Sequence, residues 1–199
     1  MPIISAAARS SFAMAIDVRR LALDGVLELR PQRFGDDRGF FSEVWNREAM
    51  AQAGLDMDFV QDNHSYSAAK GVLRGLHFQL APAAQDKLVR VSRGAVFDVA
   101  VDIRPDSATF GKWVGVTLSA KEWNQLLVPK GFAHGFLTLT EDCEVQYKVS
   151  APYSPQHDRS LHFDDPALGI EWPDVGSDFQ LSDKDRDAPL LSDLKAELG

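Results

Sequence analysis

Short apolar runs recur along the chain, each closed by residues that favour turns. Val26 to Leu29 ends at Pro31, and Phe40 to Trp45 follows the turn sequence GDDRG at 35–39. The runs Val72 to Phe78, Lys87 to Val91, Ala95 to Asp102, Trp113 to Leu118, Asn124 to Val128, Phe136 to Leu139 and Glu144 to Val149 come next. Between them lie Arg93-Gly94, Arg104-Pro105-Asp106, Ser119-Ala120-Lys121 and Pro129-Lys130-Gly131. Many strands of about five residues, with a turn at each gap, predict an all-β sandwich or barrel. The stretch FDVAVDIR alternates cleanly: Phe97, Val99, Val101 and Ile103 share one face, with Asp98, Ala100, Asp102 and Arg104 on the other. That polar face reads either as a solvated outer surface or as the lining of a polar cavity inside a barrel.

Two helices interrupt this pattern. Arg47 to Ala53 follows Asn46, a good N-cap, and stops at Gly54, a good C-cap. A second helix is predicted from Ser192 to Glu197. The segment Ala151 to Asp187 is rich in Pro, Asp and Ser, and reads as loops and short helices packed on the outside of the barrel.

The 199 residues suit one large domain. Residues 1 to 13 read as an unstructured extension ahead of Met14, and residues 14 to 199 as a single domain. A hydrophobic content of 45% with 25% charged residues is ordinary for a globular protein. The net charge of -8 argues against a nucleic-acid or anionic-membrane partner, while leaving room for a locally basic pocket. One cysteine, Cys143, allows neither an intrachain disulfide nor a Cys-based metal cluster. No apolar run approaches the ~20 residues of a membrane span. Together these features predict a cytoplasmic protein.

The chemistry-bearing residues centre on GVLRGLHFQ at 71–79, where Arg74 and His77 sit in an otherwise apolar run. Buried polar groups need partners, so both residues are either structurally satisfied or functional. A cupin-style metal site asks for a second histidine two residues after the first, and Gln79 stands there instead. The later P-x-G-x-x-H element is present, from Pro129 through Gly131 to His134, and resembles the second cupin motif. Lys87 nearby disfavours a cation, so no metal is expected. Acid–base chemistry remains. His77 suits a general base. Lys87, Arg74 and His134 can place positive charge or donors around an oxyanion. Tyr147 offers a phenolic acid, or else is a rim tyrosine. Asp185 either pairs with an imidazole or is a turn aspartate. An early polar group, Arg38, Glu43, Gln61, Asp62 and Asn63, is either hairpin and loop surface or a set able to hold a base, a sugar and a phosphate.

RGFFSE, VQDNHSYS, GVLRGLHFQ, KLVRV, GAVFDVAVDIR, GFAHGF, VQYKVSAPYSP and LSDKD occur in the order seen in the dTDP-4-dehydrorhamnose 3,5-epimerases, a family that residues 20 to 187 resemble. The resemblance implies a cupin-type jelly roll with a few short peripheral helices. It implies a cofactor-free homodimer acting on a dTDP-sugar, inverting C3 and C5 of a dTDP-4-keto-6-deoxyhexose. It casts His77 as catalytic base, Asp185 as its carboxylate partner and Tyr147 as the acid on the opposite face. Lys87 and Arg74 fall near the keto oxygen and the diphosphate, and His134 at another active-site position. Arg38, Phe41, Glu43, Gln61, Asp62 and Asn63 match nucleotide contacts, some of them crossing a dimer interface. Tyr153 matches the aromatic that stacks on thymine, and Asp158 and Lys184 match further ligand contacts.

Overall fold

The structure is a computed structural model that describes residues 16–198, so the expected extension of residues 1 to 13 lies outside the described residues. Its elements in chain order are β1 (Ile16–Arg20), β2 (Leu27–Pro31), β3 (Phe34–Asp36), β4 (Gly39–Phe41), α1 (Arg47–Gln52), β5 (Gln61–Ser67), β6 (Leu73–Gln79), β7 (Lys87–Arg93) and β8 (Ala95–Asp102). There follow β9 (Trp113–Ser119), β10 (Gln125–Val128), β11 (Phe132–Thr138), β12 (Cys143–Val149), β13 (Asp158–Ser160), α2 (Asp183–Arg186) and α3 (Leu191–Leu198). Two antiparallel sheets face each other in a jelly roll. One has the order β1-β2-β10-β7-β12-β5, and the other β13-β6-β11-β8-β9. β3 and β4 form a separate two-stranded hairpin.

The alternating pattern decides which side chains meet between the sheets. Val89 and Val91 of β7, Val96 and Ala100 of β8, Val116 of β9, Leu126 of β10, Phe132 and Phe136 of β11 and Val145 of β12 build one apolar core there. The outer face of the five-stranded sheet is buried as well. Leu76, Phe78, Val99 and Val101 pack under Leu161 and Leu168 of the C-terminal loops and under Leu191 and Leu194 of α3. Both faces of β8 are therefore covered. Asp98 and Asp102 are fully buried, so the FDVAVDIR polar face is not a solvated surface. Asp98 points to the barrel interior, and Asp102 ties down the following turn. Asp102 accepts from the Arg104 guanidinium at 2.7 Å and from Ser107 Oγ and Thr109 Oγ1, both at 2.6 Å.

Several boundaries differ from the expected ones. β11 starts at Phe132 rather than Phe136, which brings His134 into a strand. The run Phe40 to Trp45 is strand only as far as Phe41. The QDNHS stretch, one reading of which was a loop, opens the seven-residue strand β5, which is paired with β12 along its whole length. Its polar residues are stable in a strand because one face looks into a polar cavity and the other to solvent. The α1 helix begins as expected, with the Asn46 side chain accepting from Ala49 N at 3.1 Å, and ends at Gln52.

Candidate active site

Arg74 and His77 are three apart on β6, a spacing that in a regular strand puts them on opposite faces. A bulge corrects this. His77 pairs with His134, yet Arg74 pairs with Phe136, so β6 carries one residue more than β11 between the two pairs. Glycines at the bulge let the strands approach closely. Gly75 has φ +124°, and a Cβ on it would lie 2.5 Å from Gly135 Cα. A Cβ on Gly135 would lie 2.8 Å from the Arg74 carbonyl oxygen. Arg74, His77 and His134 consequently line one cavity of about 580 Å³ at the open end of the barrel.

His77 Nε2 lies 2.5 Å from Asp185 Oδ1. Asp185 is the third residue of α2, whose N-cap Ser182 donates its hydroxyl to Asp185 Oδ2 at 2.8 Å. The chain just before α2 is laced to the start of β6 and the residues leading into it, with Gln180 N donating to the Gly71 carbonyl at 2.8 Å and Leu73 N to the Gln180 carbonyl at 3.0 Å. Burial pushes the Asp185 carboxyl up. Hydrogen bonding and charge from His77, with donors from Ser182 and the Gly75 N–H, outweigh that and hold it below the usual aspartate range. Asp183, two residues earlier, faces solvent and pairs with Arg186. Asp185 is thus the carboxylate at His77.

Lys87 enters from β7 on the facing sheet and is only 7% exposed. Its ammonium donates to the His77 carbonyl at 3.1 Å. Burial lowers its pKa to about 8, with Asp98 and Asp158 pulling upward and Lys184 downward. His134 Nε2 is 2.8 Å from Asp98 Oδ1. Tyr147 projects from β12, on the wall opposite His77, and desolvation raises its pKa, against a lowering influence of Arg74 and with a further rise from Asp158. It therefore holds its proton at neutral pH.

Gln61, Asn63, Tyr153, Asp158 and Lys184 complete the mouth of the cavity. Gln61 donates to Asn63 Oδ1 at 2.9 Å and accepts from Tyr153 N at 3.1 Å. Tyr153 is 58% exposed, so its ring is open to a ligand. Lys184 pairs with Asp158 at 2.5 Å. Gln79 is committed elsewhere: its amide donates to the carbonyls of Ala83 and Pro152 and accepts from Ser154 N. Among the described residues, no three His, Cys, Asp or Glu side chains are grouped as metal ligands would be.

Four expected contacts are not in this cavity. Asp62 alternates with Gln61 and Asn63 and so faces the other side of β5, where it pairs with Lys148 at 2.8 Å. Arg38 and Phe41 belong to the β3–β4 hairpin, where Arg38 pairs with Asp36 and Phe41 is 68% exposed. Glu43 follows the hairpin and is half-buried away from the cavity. The hairpin is its own small sheet and does not reach the cavity of the same chain. Conversely, Asp98 and Ser182 hold site residues and were not among the expected ones. The signal for Asp98 was its parity with Ala100 on an inward-facing strand side.

A carboxylate-paired histidine on one wall, a protonated phenol on the other and a buried ammonium beside them suit proton removal and return across a carbon next to a carbonyl. Residues 20–193 match the sequence profile of the dTDP-4-dehydrorhamnose 3,5-epimerases. The chain belongs to this family. It is 53% identical over 174 residues to the dTDP-4-dehydrorhamnose 3,5-epimerase of Sinorhizobium fredii, covering 87% of this chain and 89% of that one. Among solved structures, the Bacillus anthracis 3,5-epimerase with TDP and PPi bound is 51% identical, with a TM-score of 0.85, over 88% of this chain and 99% of that one. The Legionella pneumophila epimerase in complex with dTDP-4-keto-L-rhamnose is 46% identical, with a TM-score of 0.87, over 92% of this chain and 96% of that one. The matched span contains every cavity residue of this 3,5-epimerase family member.

Proposed function

We propose that this chain is a 3,5-epimerase that converts dTDP-4-dehydro-6-deoxy-D-glucose to dTDP-4-dehydro-L-rhamnose, with His77 as base and Tyr147 as acid. Family membership supports the activity. The observation that carries the residue roles is the Asp185-paired His77 facing Tyr147 across one cavity.

The C4 ketone acidifies the protons on C3 and C5. His77 takes one of them, and its new charge is matched by the Asp185 carboxylate. The electron pair moves onto the C4 oxygen as an enolate, which Lys87 stabilises as a cationic donor; one such donor is worth about 2.7–4 kcal/mol in other enzymes. Tyr147 then returns a proton to the opposite face of the carbon, inverting it, and solvent resets both residues. The sequence repeats at the second carbon. Every step is a proton transfer, so the residues present suffice without a cofactor.

The rest of the ligand follows from chemistry at the mouth. Tyr153 offers a face for thymine, Arg74 a guanidinium for the diphosphate, and Gln61, Asn63, Asp158 and Lys184 polar contacts. His134 completes the sugar site. Arg38, Phe41 and Glu43 act across a homodimer, reaching the partner's cavity; the exposed rings of Phe40 and Phe41 support a covered hairpin. Asp62 faces away from this cavity and pairs with Lys148. No helix among the described residues is long and apolar enough to cross a membrane, and the nucleotide-sugar substrate supports a cytoplasmic setting.

Proton NMR in D2O with dTDP-4-keto-6-deoxyglucose tests this. Deuterium should enter at both C3 and C5, His77→Ala should lose both, and Tyr147→Phe should exchange the first carbon but fail to invert it. Exchange at one carbon only makes the chain a single-carbon epimerase, and full activity in His77→Ala removes the base assignment. Light scattering should give a dimer; a fully active monomer refutes the shared site.

A further inference from the structure

Asp98 is a fully buried carboxylate on the central strand β8, and the mechanism above does not use it. One oxygen, Oδ1, is 2.8 Å from His134 Nε2. The other, Oδ2, is buried and has no hydrogen-bond partner among the described residues. A carboxylate with an unpaired buried oxygen is a poor structural choice, because the neutral amide of asparagine could accept the same bond with less desolvation. What asparagine cannot supply is charge. His134 is 7% exposed, and its Nδ1 makes no hydrogen bond among the described residues, so that nitrogen is left to the cavity that His134 lines.

Resting on the epimerase reading of this cavity, we propose that Asp98 is a positioning residue. It fixes the His134 ring through Nε2, so that Nδ1 meets the sugar, and its buried negative charge complements the Lys87 ammonium, which donates to the carbonyl of His77, the strand partner of His134. Lys87 contacts the His77 carbonyl from β6, and the charges that act on it are Asp98 of β8 and Asp158 of β13, which favour the ammonium, and Lys184 of α2, which opposes it. Of the two carboxylates, Asp98 has the stronger pull toward the ammonium, and it is the one shut away from solvent. Screening by salt or bulk water therefore affects it least.

Asp98→Asn keeps the shape and removes the charge. Turnover should fall roughly 100-fold, as for loss of one oriented donor, with KM within about threefold of wild type. The alkaline limb of the kcat/KM profile should move to lower pH, because Lys87 loses its proton earlier. The melting temperature should equal or exceed that of wild type, which a merely structural Asp98 would not allow. Unchanged kcat with an unchanged pH profile overturns the proposal. A second measurement uses the unaltered protein: 15N NMR of labelled imidazoles should find the His134 proton on Nε2, and a neutral ring protonated only on Nδ1 overturns it independently of how the variant folds. Wild-type turnover in the same assay separates this outcome from failure of the epimerase reading itself.

Discussion

Replacing Lys87 by methionine should raise stability at neutral pH while destroying activity. The lysine is 7% exposed and makes one hydrogen bond, to the His77 carbonyl. Burial brings its pKa from 10.5 to about 8. That displacement corresponds to roughly 3 kcal/mol favouring the unfolded state wherever the unfolded lysine is charged and the folded one is charged too. Methionine fills a similar volume without a charge, and volume-conserving swaps are well tolerated. The His77 carbonyl loses its donor, which costs about 1 kcal/mol. A net gain of roughly 1–2 kcal/mol remains, equivalent to a rise of about 2–8 °C in a chain of this size. The pH dependence fixes the sign. Below pH 8 the disadvantage of the wild type is complete. Between 8 and 10.5 the unfolded chain binds more protons than the folded one, so wild-type stability rises relative to the variant and the gap closes. Urea unfolding of both proteins at pH 7 and at pH 10 measures this. A variant less stable than wild type by the same amount at both pH values would refute the idea that Lys87 is held at a cost for its chemistry.

Gly135→Ala should be costly, because its Cβ would meet the Arg74 carbonyl at 2.8 Å and Gly75 Cα at 3.1 Å, backbone atoms that cannot swing away. A loss of about 1–3 kcal/mol is expected, with kcat lowered roughly 100-fold as His77 is displaced from its partners; calorimetry showing an unchanged melting temperature would contradict the bulge geometry. Asp185→Asn should cut kcat by roughly 10²–10⁴-fold. Because Asp185 titrates below the ordinary value of 3.8 in the fold, its stabilisation is whole above that value and fades as pH falls past it. The variant should accordingly lose less stability than wild type between pH 5 and 2.5, and parallel acid-denaturation curves would argue against the pair.

The strands were legible wherever one face of a segment was apolar and the other polar, as in FDVAVDIR, and wherever Gly or Pro closed a run. β5 was harder to read, because Gln61, Asn63 and Ser65 are polar on the face turned inward. Periodicity alone cannot tell a cavity from water. The same limit left the Asp98 face with two readings until α3 and the 160–170 loops were seen to cover the opposite side of β8. Asp62 was grouped with its neighbours in sequence although strand alternation sends it to the far face.

By itself, the sequence determined the strand periods, the turn positions, the Asn46 cap and the family to which the motifs belong. These depend on interactions within a few residues of one another or on matched residue order. Tertiary structure alone decided that Arg74 and His77 share a cavity despite their odd spacing, through a bulge that needs Gly135 on another strand. It also decided that His77 meets Asp185, 108 residues away, and that Lys87 is buried enough for its pKa to fall to about 8. Each of those outcomes depends on which distant faces pack together and how much water they exclude, and neither quantity is written in any local stretch of the chain.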